Sequence, residues 1–252
     1  MPHMSKRPFI RKIKRKRHGA AFWDHEYAAS RSGDESHLAL SDDPAEDLEK
    51  FVRWLSRQKN ELGIDKNTKV IDLGTGNGRH LIYLYREFEA TGAGFDISSA
   101  AIAEAKNRAN GLLLEFSVRS IEGELPFPDA SQDLVLDMMT SHFLDANKRD
   151  YLLSEIFRVL RPGGWLFMKT FLRDGDLHSE RLLKERPANE PGTYIHPVIG
   201  VPEHVYGEEE LADFLTKKFL IRKISRSHKH VSRGKARKRR TISVYAQKDP
   251  YK

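Results

Sequence analysis

An open, doubly wound α/β sheet is expected of this sequence for three reasons. Short apolar strand candidates alternate with amphipathic helix candidates from residue 65 onward. The first of those strands runs straight into a glycine-rich turn and then a helix, and the second ends on an aspartate. Finally, 252 residues with 39% hydrophobic content suffice for one core with terminal extensions, and fall short of two full domains.

Residues 1–20 hold eight basic residues, Lys6 to Arg17, and no acid, which predicts a disordered arm. A helical lead-in spans 21–64. Trp23 and Tyr27 lie four apart and share a helix face. Asp43-Pro44-Ala45-Glu46 predicts a helix start with Asp43 as the cap, Pro44 at the first position and Glu46 closing a capping box. Leu48, Phe51, Val52 and Leu55 follow at helical spacing, and Gly63 marks the end. The domain proper is expected over 65–248.

Within it, strands are expected at 69–73, 91–95, 112–118, 134–139 and 165–171. Helices are expected at 79–88, after a Ser98 or Ser99 cap as far as Gly111, and at 147–160, stopped by Pro162-Gly163-Gly164. Residues 173–206 carry three prolines and little period, which reads as a long loop insertion. A helix at 208–219 leads into a basic antiparallel pair, 220–231 with 240–247, turning near 232–235.

The ligand signal is Val70-Ile71-Asp72-Leu73-Gly74-Thr75-Gly76-Asn77-Gly78-Arg79. Glycines let the backbone turn and approach a ligand, and the helix start offers free N–H groups. The spacing is G-x-G-x-G, whereas a nicotinamide loop has G-x-G-x-x-G. Asp72, two residues before Gly74, would repel a pyrophosphate but suits a ligand bearing an amino group and a sulfonium. Asp96 ends the next strand, where a carboxylate accepts from both ribose hydroxyls, and Ile97 is placed to pack on an adenine.

With two later landmarks, Leu125-Pro126-Phe127-Pro128-Asp129 through Val135 and Arg158-Val159-Leu160-Arg161-Pro162-Gly163-Gly164, the chain resembles the class I S-adenosylmethionine-dependent methyltransferases. The resemblance covers residues 65–172 well and the rest loosely. It implies a mostly parallel, seven-stranded Rossmann-like sheet with an antiparallel last strand. It implies S-adenosyl-L-methionine as cofactor, with Asp72, Gly74, Thr75, Gly76 and Gly78 around the methionine part and Asp96 on the ribose. Where many relatives carry Gly-Asp for the adenine amino group, this chain has Arg119-Ser120-Ile121. The adenine contact then falls to Ser120 and Ile121, through a weaker hydroxyl bond. N-terminal aromatics cover the cofactor in many relatives, a role open to Trp23 and Tyr27 alongside ordinary packing.

Asp137 and His142, at and just beyond the fourth strand, are the candidate catalytic residues. Each has a plain alternative, a strand-end carboxylate and a structural histidine. His178, His196 and His204 match no metal spacing, so no metal site is expected. Without cysteine, a disulfide or a cysteine nucleophile is excluded, and a reducing, cytoplasmic setting (nuclear in a eukaryote) is the expectation. No run is long and apolar enough for a membrane helix.

The net charge of +7 conceals an asymmetry. Residues 222–240 hold ten basic residues and no acid, and without them and the arm 25 basic residues face 36 acidic ones. The two segments suit RNA phosphates. An import signal or a solvated tail fits the arm as well. The rival functions are a nicotinamide oxidoreductase, opposed by the glycine spacing and Asp72, and a non-catalytic nucleic-acid-binding module. Pyrimidine carbon-5 methylation through a cysteine is excluded. Leu136-Asp137-Met138-Met139 also stands where many exocyclic-amine methylases carry Asn/Asp-Pro-Pro-Tyr. The acceptor, small molecule, RNA or protein, stays open.

Overall fold

The computed structural model describes residues 19–32, 41–58, 63–227, 231–232, 235–236 and 238–251. The arm at 1–18 lies outside them. Strands β1 (Lys69–Leu73), β2 (Thr91–Asp96), β3 (Leu114–Val118), β4 (Gln132–Met138) and β5 (Leu160–Phe171) run parallel. Two short antiparallel pairs stand apart, β6 (Thr193–Ile195) with β7 (Pro202–His204), and β9 (Val231–Ser232) with β10 (Lys235–Ala236). The strands β8 (Leu220–Arg226) and β11 (Thr241–Gln247) complete a seven-stranded sheet of order β3-β2-β1-β4-β5-β11-β8. β11 is antiparallel to both neighbours, so the last strand is reversed as expected. After β3 the chain returns to the other side of β1. This order reversal opens a crevice beyond the carboxyl ends of β1 and β4, the place where open α/β sheets bind ligands.

Both faces of the sheet are buried, so its strands read as near-continuous apolar runs. On one face Ile71, Leu73, Val135, Leu166 and Met168 pack against α5 (Ala146–Val159) and α7 (Glu208–Thr216). On the other, Val70, Leu134, Leu136 and Phe167 meet α2 (Glu46–Leu55), α3 (Arg79–Phe88) and α4 (Ser99–Arg108). Phe51 of α2 stacks on Phe167 with ring centres 5.0 Å apart and meets Tyr245 edge-on at 4.9 Å. That aromatic knot fixes the lead-in helix to the sheet. Two further helices, α1 (Ala20–Ser32) and α6 (Leu177–Glu185), lie outside these two layers of the sheet.

Three expectations need correction. The start of α2 has Ala45, not Asp43, at its cap position, with no side-chain cap bond. Because Ala45 is still extended (φ −68°, ψ 135°), Asp43 sits two residues outside the helix, too far to reach its first amides. Pro162-Gly163-Gly164 does not separate helix from strand, since β5 begins at Leu160 and runs through it. The amide of Gly163 donates to the Lys248 carbonyl (3.0 Å), and that of Lys248 to the Gly164 carbonyl (2.9 Å), so the far end of β11 pairs with this stretch. Residues 173–206 are not one loop. They contain α6 and the β6–β7 pair, elements of three to nine residues that are too short for a clear period. Among the described residues no helix is long and apolar enough to cross a membrane.

Candidate cofactor and acceptor site

The turn after β1 is built to let something approach its backbone. Gly74 (φ +69°) and Gly76 (φ +56°) adopt a left-handed conformation that other residues enter at a cost. A Cβ at Gly74 would fall inside the Thr140 side chain, and one at Gly76 would meet the Tyr27 hydroxyl. Gly78 follows as the residue before α3. The Thr75 amide donates to the Phe95 carbonyl (2.8 Å) and its hydroxyl to Asp72 (2.8 Å), which ties the turn to β1 and β2.

Asp72 is 1% exposed, and burial pushes its pKa up to about 7. Its recorded ion-pair neighbour among the described residues is His80, 3.8 Å away. Burial pushes that imidazole down to about 3, so at neutral pH it carries no charge to offer. The charge of Arg79 offsets only part of the cost of burying this carboxylate, and a ligand ammonium or sulfonium would relieve the rest. Asp96 accepts from the Gly76 amide (3.0 Å) and the Ser98 amide (2.9 Å), one on each oxygen. Each oxygen keeps a second lone pair for a ligand hydroxyl. Burial raises the pKa of Asp96, although these amide bonds oppose the shift.

The other expected contacts divide. Ile97 is half-buried beside Asp96. Ser120 is exposed and accepts from the Glu122 amide (3.2 Å), while Ile121 is buried in the core with Phe95 and Leu125. Asp137 is in register with Leu73 of β1 and Met168 of β5, and it accepts from the Ser141 amide (3.1 Å). Burial raises its pKa. His142 sits in the 3-10 turn Ser141–Phe143, 1% exposed. Burial pushes it down to about 4, with the charge of Glu203 opposing. His142 is therefore a neutral imidazole at neutral pH.

Helix α1 lies over this crevice. Trp23 meets Phe143 edge-on at 5.4 Å, and Tyr27 is buried against Gly76. Asp24 accepts from the Ser98 hydroxyl (2.8 Å), the Ser99 hydroxyl (3.2 Å) and the Ala100 amide (3.0 Å) at the head of α4. Sequence reasoning missed Asp24 because nothing local links it to residues more than seventy positions away. It also missed the insertion's polar wall. Glu203 of β7 pairs with Arg239 (2.6 Å) and takes the Tyr194 hydroxyl bond. Thr193, Glu190 and Glu210 surround His204, and Arg149 pairs with Glu190. Arg239 was legible only as one charge in a basic run.

An open sheet with a reversed strand beside its edge, a carboxylate-flanked glycine turn on β1 and a second carboxylate closing β2 define a class I methyltransferase fold. Residues 70–164 match the methyltransferase domain family. A fatty-acid O-methyltransferase of Mycolicibacterium smegmatis is 41% identical over 98 residues, 38% of this chain and 35% of that one. Phthiotriol/phenolphthiotriol dimycocerosates methyltransferase 1 of Mycobacterium ulcerans is 30% identical over 175 residues, 69% of this chain and 57% of that one. A solved S-adenosylmethionine-dependent methyltransferase from Methanosarcina mazei superposes with a TM-score of 0.63 at 26% identity, covering 75% of this chain and 95% of its own. The chain thus spans between about a third and just over half of the two curated relatives' lengths. It carries a class I methyltransferase domain, whose cofactor is S-adenosylmethionine.

Proposed function

We propose that this protein transfers the methyl group of S-adenosylmethionine to a small-molecule acceptor. The observation that carries the reading is Asp72, a carboxylate fully buried beside the glycine turn whose pKa stays raised although the charge of Arg79 opposes the shift. When bound, S-adenosylmethionine supplies a methyl group on a cationic sulfur, ready for in-line displacement. Asp72 balances the donor's positive charge, Gly74 and Gly76 let its methionine end lie against the backbone, and Asp96 orients the ribose. Ser120 and Ile121 are the proposed adenine neighbours, Ser120 through its hydroxyl. Tyr27 and Trp23 exclude water from above, and the turn holding Thr140 to His142 faces the acceptor. Alignment in a desolvated crevice is the chief catalytic device. His142, as a neutral imidazole, can accept a hydrogen bond from the acceptor or hold its proton.

A small molecule is preferred over RNA for two reasons. The relatives named above act, by their names, on fatty acids and on phthiotriol/phenolphthiotriol dimycocerosates. Moreover, at least three of the ten basic residues at 222–240 are engaged internally. Arg226 pairs with Glu208, Arg239 with Glu203, and Arg240 donates to the Asp174 carbonyl. The test is calorimetry with S-adenosylmethionine and NAD on wild type and Asp96→Ala. Wild type should bind the first and not the second, and the variant should bind the first at least about tenfold more weakly, a loss of ~1.4 kcal/mol. Binding of NAD instead, or unchanged affinity in Asp96→Ala, overturns the donor assignment.

A further inference from the structure

Of the buried polar atoms with no hydrogen-bond partner among the described residues, four belong to two side chains beyond the carboxyl ends of β4 and β5. They are both ring nitrogens of His142 and the Nε and Nη2 of Arg239. Native structures rarely leave such atoms unmatched, and a guanidinium is among the costliest to bury so. Both side chains share one platform, the ring of Phe171. Arg239 lies over it, its Cζ 3.2 Å from the ring centre, and the His142 ring centre is 5.3 Å away on an edge contact.

The guanidinium is oriented by what it already holds. Nη1 binds Oε1 of Glu203 at 2.6 Å, and the Tyr194 hydroxyl donates to that same oxygen. The two remaining groups, Nε–H and Nη2–H, point the same way as a fork, the geometry that matches the two oxygens of a carboxylate. The place is close to the cofactor turn. Ser141, next to His142, donates to Asp137, and Thr140 packs against Gly74.

We infer that Arg239 and His142 form a subsite that holds a carboxylate group of the acceptor. The inference rests on the methyl-transfer reading and names the acceptor's chemistry. Glu203 already offsets the one positive charge, so a carboxylate brings one excess negative charge, which the two hydrogen bonds of the fork must offset, and a phosphate dianion brings two; the smaller excess favours the carboxylate. His142, in contact with the same Phe171 ring, adds a hydrogen-bonding group without adding charge. This also accounts for a guanidinium of the basic run being turned inward beneath the insertion: its role is to meet a small acid.

The test uses the full chain saturated with S-adenosylhomocysteine. Acetate, octanoate and benzoate are titrated by calorimetry beside acetamide, octanamide and benzamide, on wild type, Arg239→Gln and Arg239→Lys. At least one acid should bind wild type about tenfold or more tightly than its amide. Arg239→Gln should abolish that preference and Arg239→Lys, which keeps the charge without the fork, should keep only a small part of it. S-adenosylhomocysteine affinity should stay within about twofold across the three proteins. Equal binding of acid and amide in all three pairs, or a preference that survives Arg239→Gln, overturns the subsite. Should the glutamine variant fail to fold, the wild-type comparison decides alone. Failure of wild type to bind S-adenosylhomocysteine would strike the methyl-transfer reading, and the acid–amide comparison is read separately from it.

Discussion

Replacing Asp72 by asparagine should make the protein more stable and less able to bind its cofactor. In the folded chain this carboxyl keeps its proton up to about pH 7, whereas the ordinary aspartate value is 3.8. Between those values the unfolded chain holds fewer protons than the folded one, so stability falls as pH rises from about 4 to about 7 and then levels off. At ~1.36 kcal/mol per pH unit, the gap corresponds to an upper bound of roughly 4 kcal/mol. Asparagine keeps an oxygen to accept the Thr75 hydroxyl bond and has no charge to bury. Urea denaturation of the ligand-free proteins should therefore give equal stability near pH 4 and a widening advantage for Asp72→Asn up to pH 8. The matching rise in Tm at pH 8 is on the order of 10 °C. Calorimetry at pH 8 should show S-adenosylmethionine bound at least about tenfold more weakly by the variant. If Asp72→Asn were no more stable than wild type at pH 8, Arg79 and the Thr75 hydroxyl would already offset the buried charge in full, and its role as the cofactor's counter-charge would fail.

Two further outcomes follow from the turn and its cover. Gly76→Ala places a Cβ against the Tyr27 hydroxyl at a φ of +56°, so it should cost about 1–2 kcal/mol in backbone strain plus the clash. Adding Tyr27→Phe should recover the clash and leave the strain, and equal urea midpoints for the single and double variants would refute the contact. Asp24→Ala removes three hydrogen bonds at the head of α4, which should cost about 1 kcal/mol and speed hydrogen exchange in α1. Unchanged exchange there would show that α1 is held by its aromatic contacts instead.

The donor half of the site was legible in the sequence because its signals are local. An apolar strand, glycines that must turn, and an aspartate closing the next strand all fall within residues 70–96, and the alternation around them dictates a parallel sheet. The same locality misled at the edges. Asp43 and Pro44 form a plausible helix start, yet the backbone stays extended through Ala45, and Pro162-Gly163-Gly164 looks like a stop but lies inside β5, paired with residues near 248. The acceptor half was closed to sequence reasoning. Glu203 and Arg239 stand 36 positions apart and His142 about 60 positions before Glu203, in segments too short or too charged to show a period. Strand pattern and turn chemistry are set by neighbours along the chain, so the sequence alone determined the sheet and the cofactor turn. Which buried charges meet is set by neighbours in space, so only the tertiary structure could turn a basic run into one arginine fork held beneath the insertion.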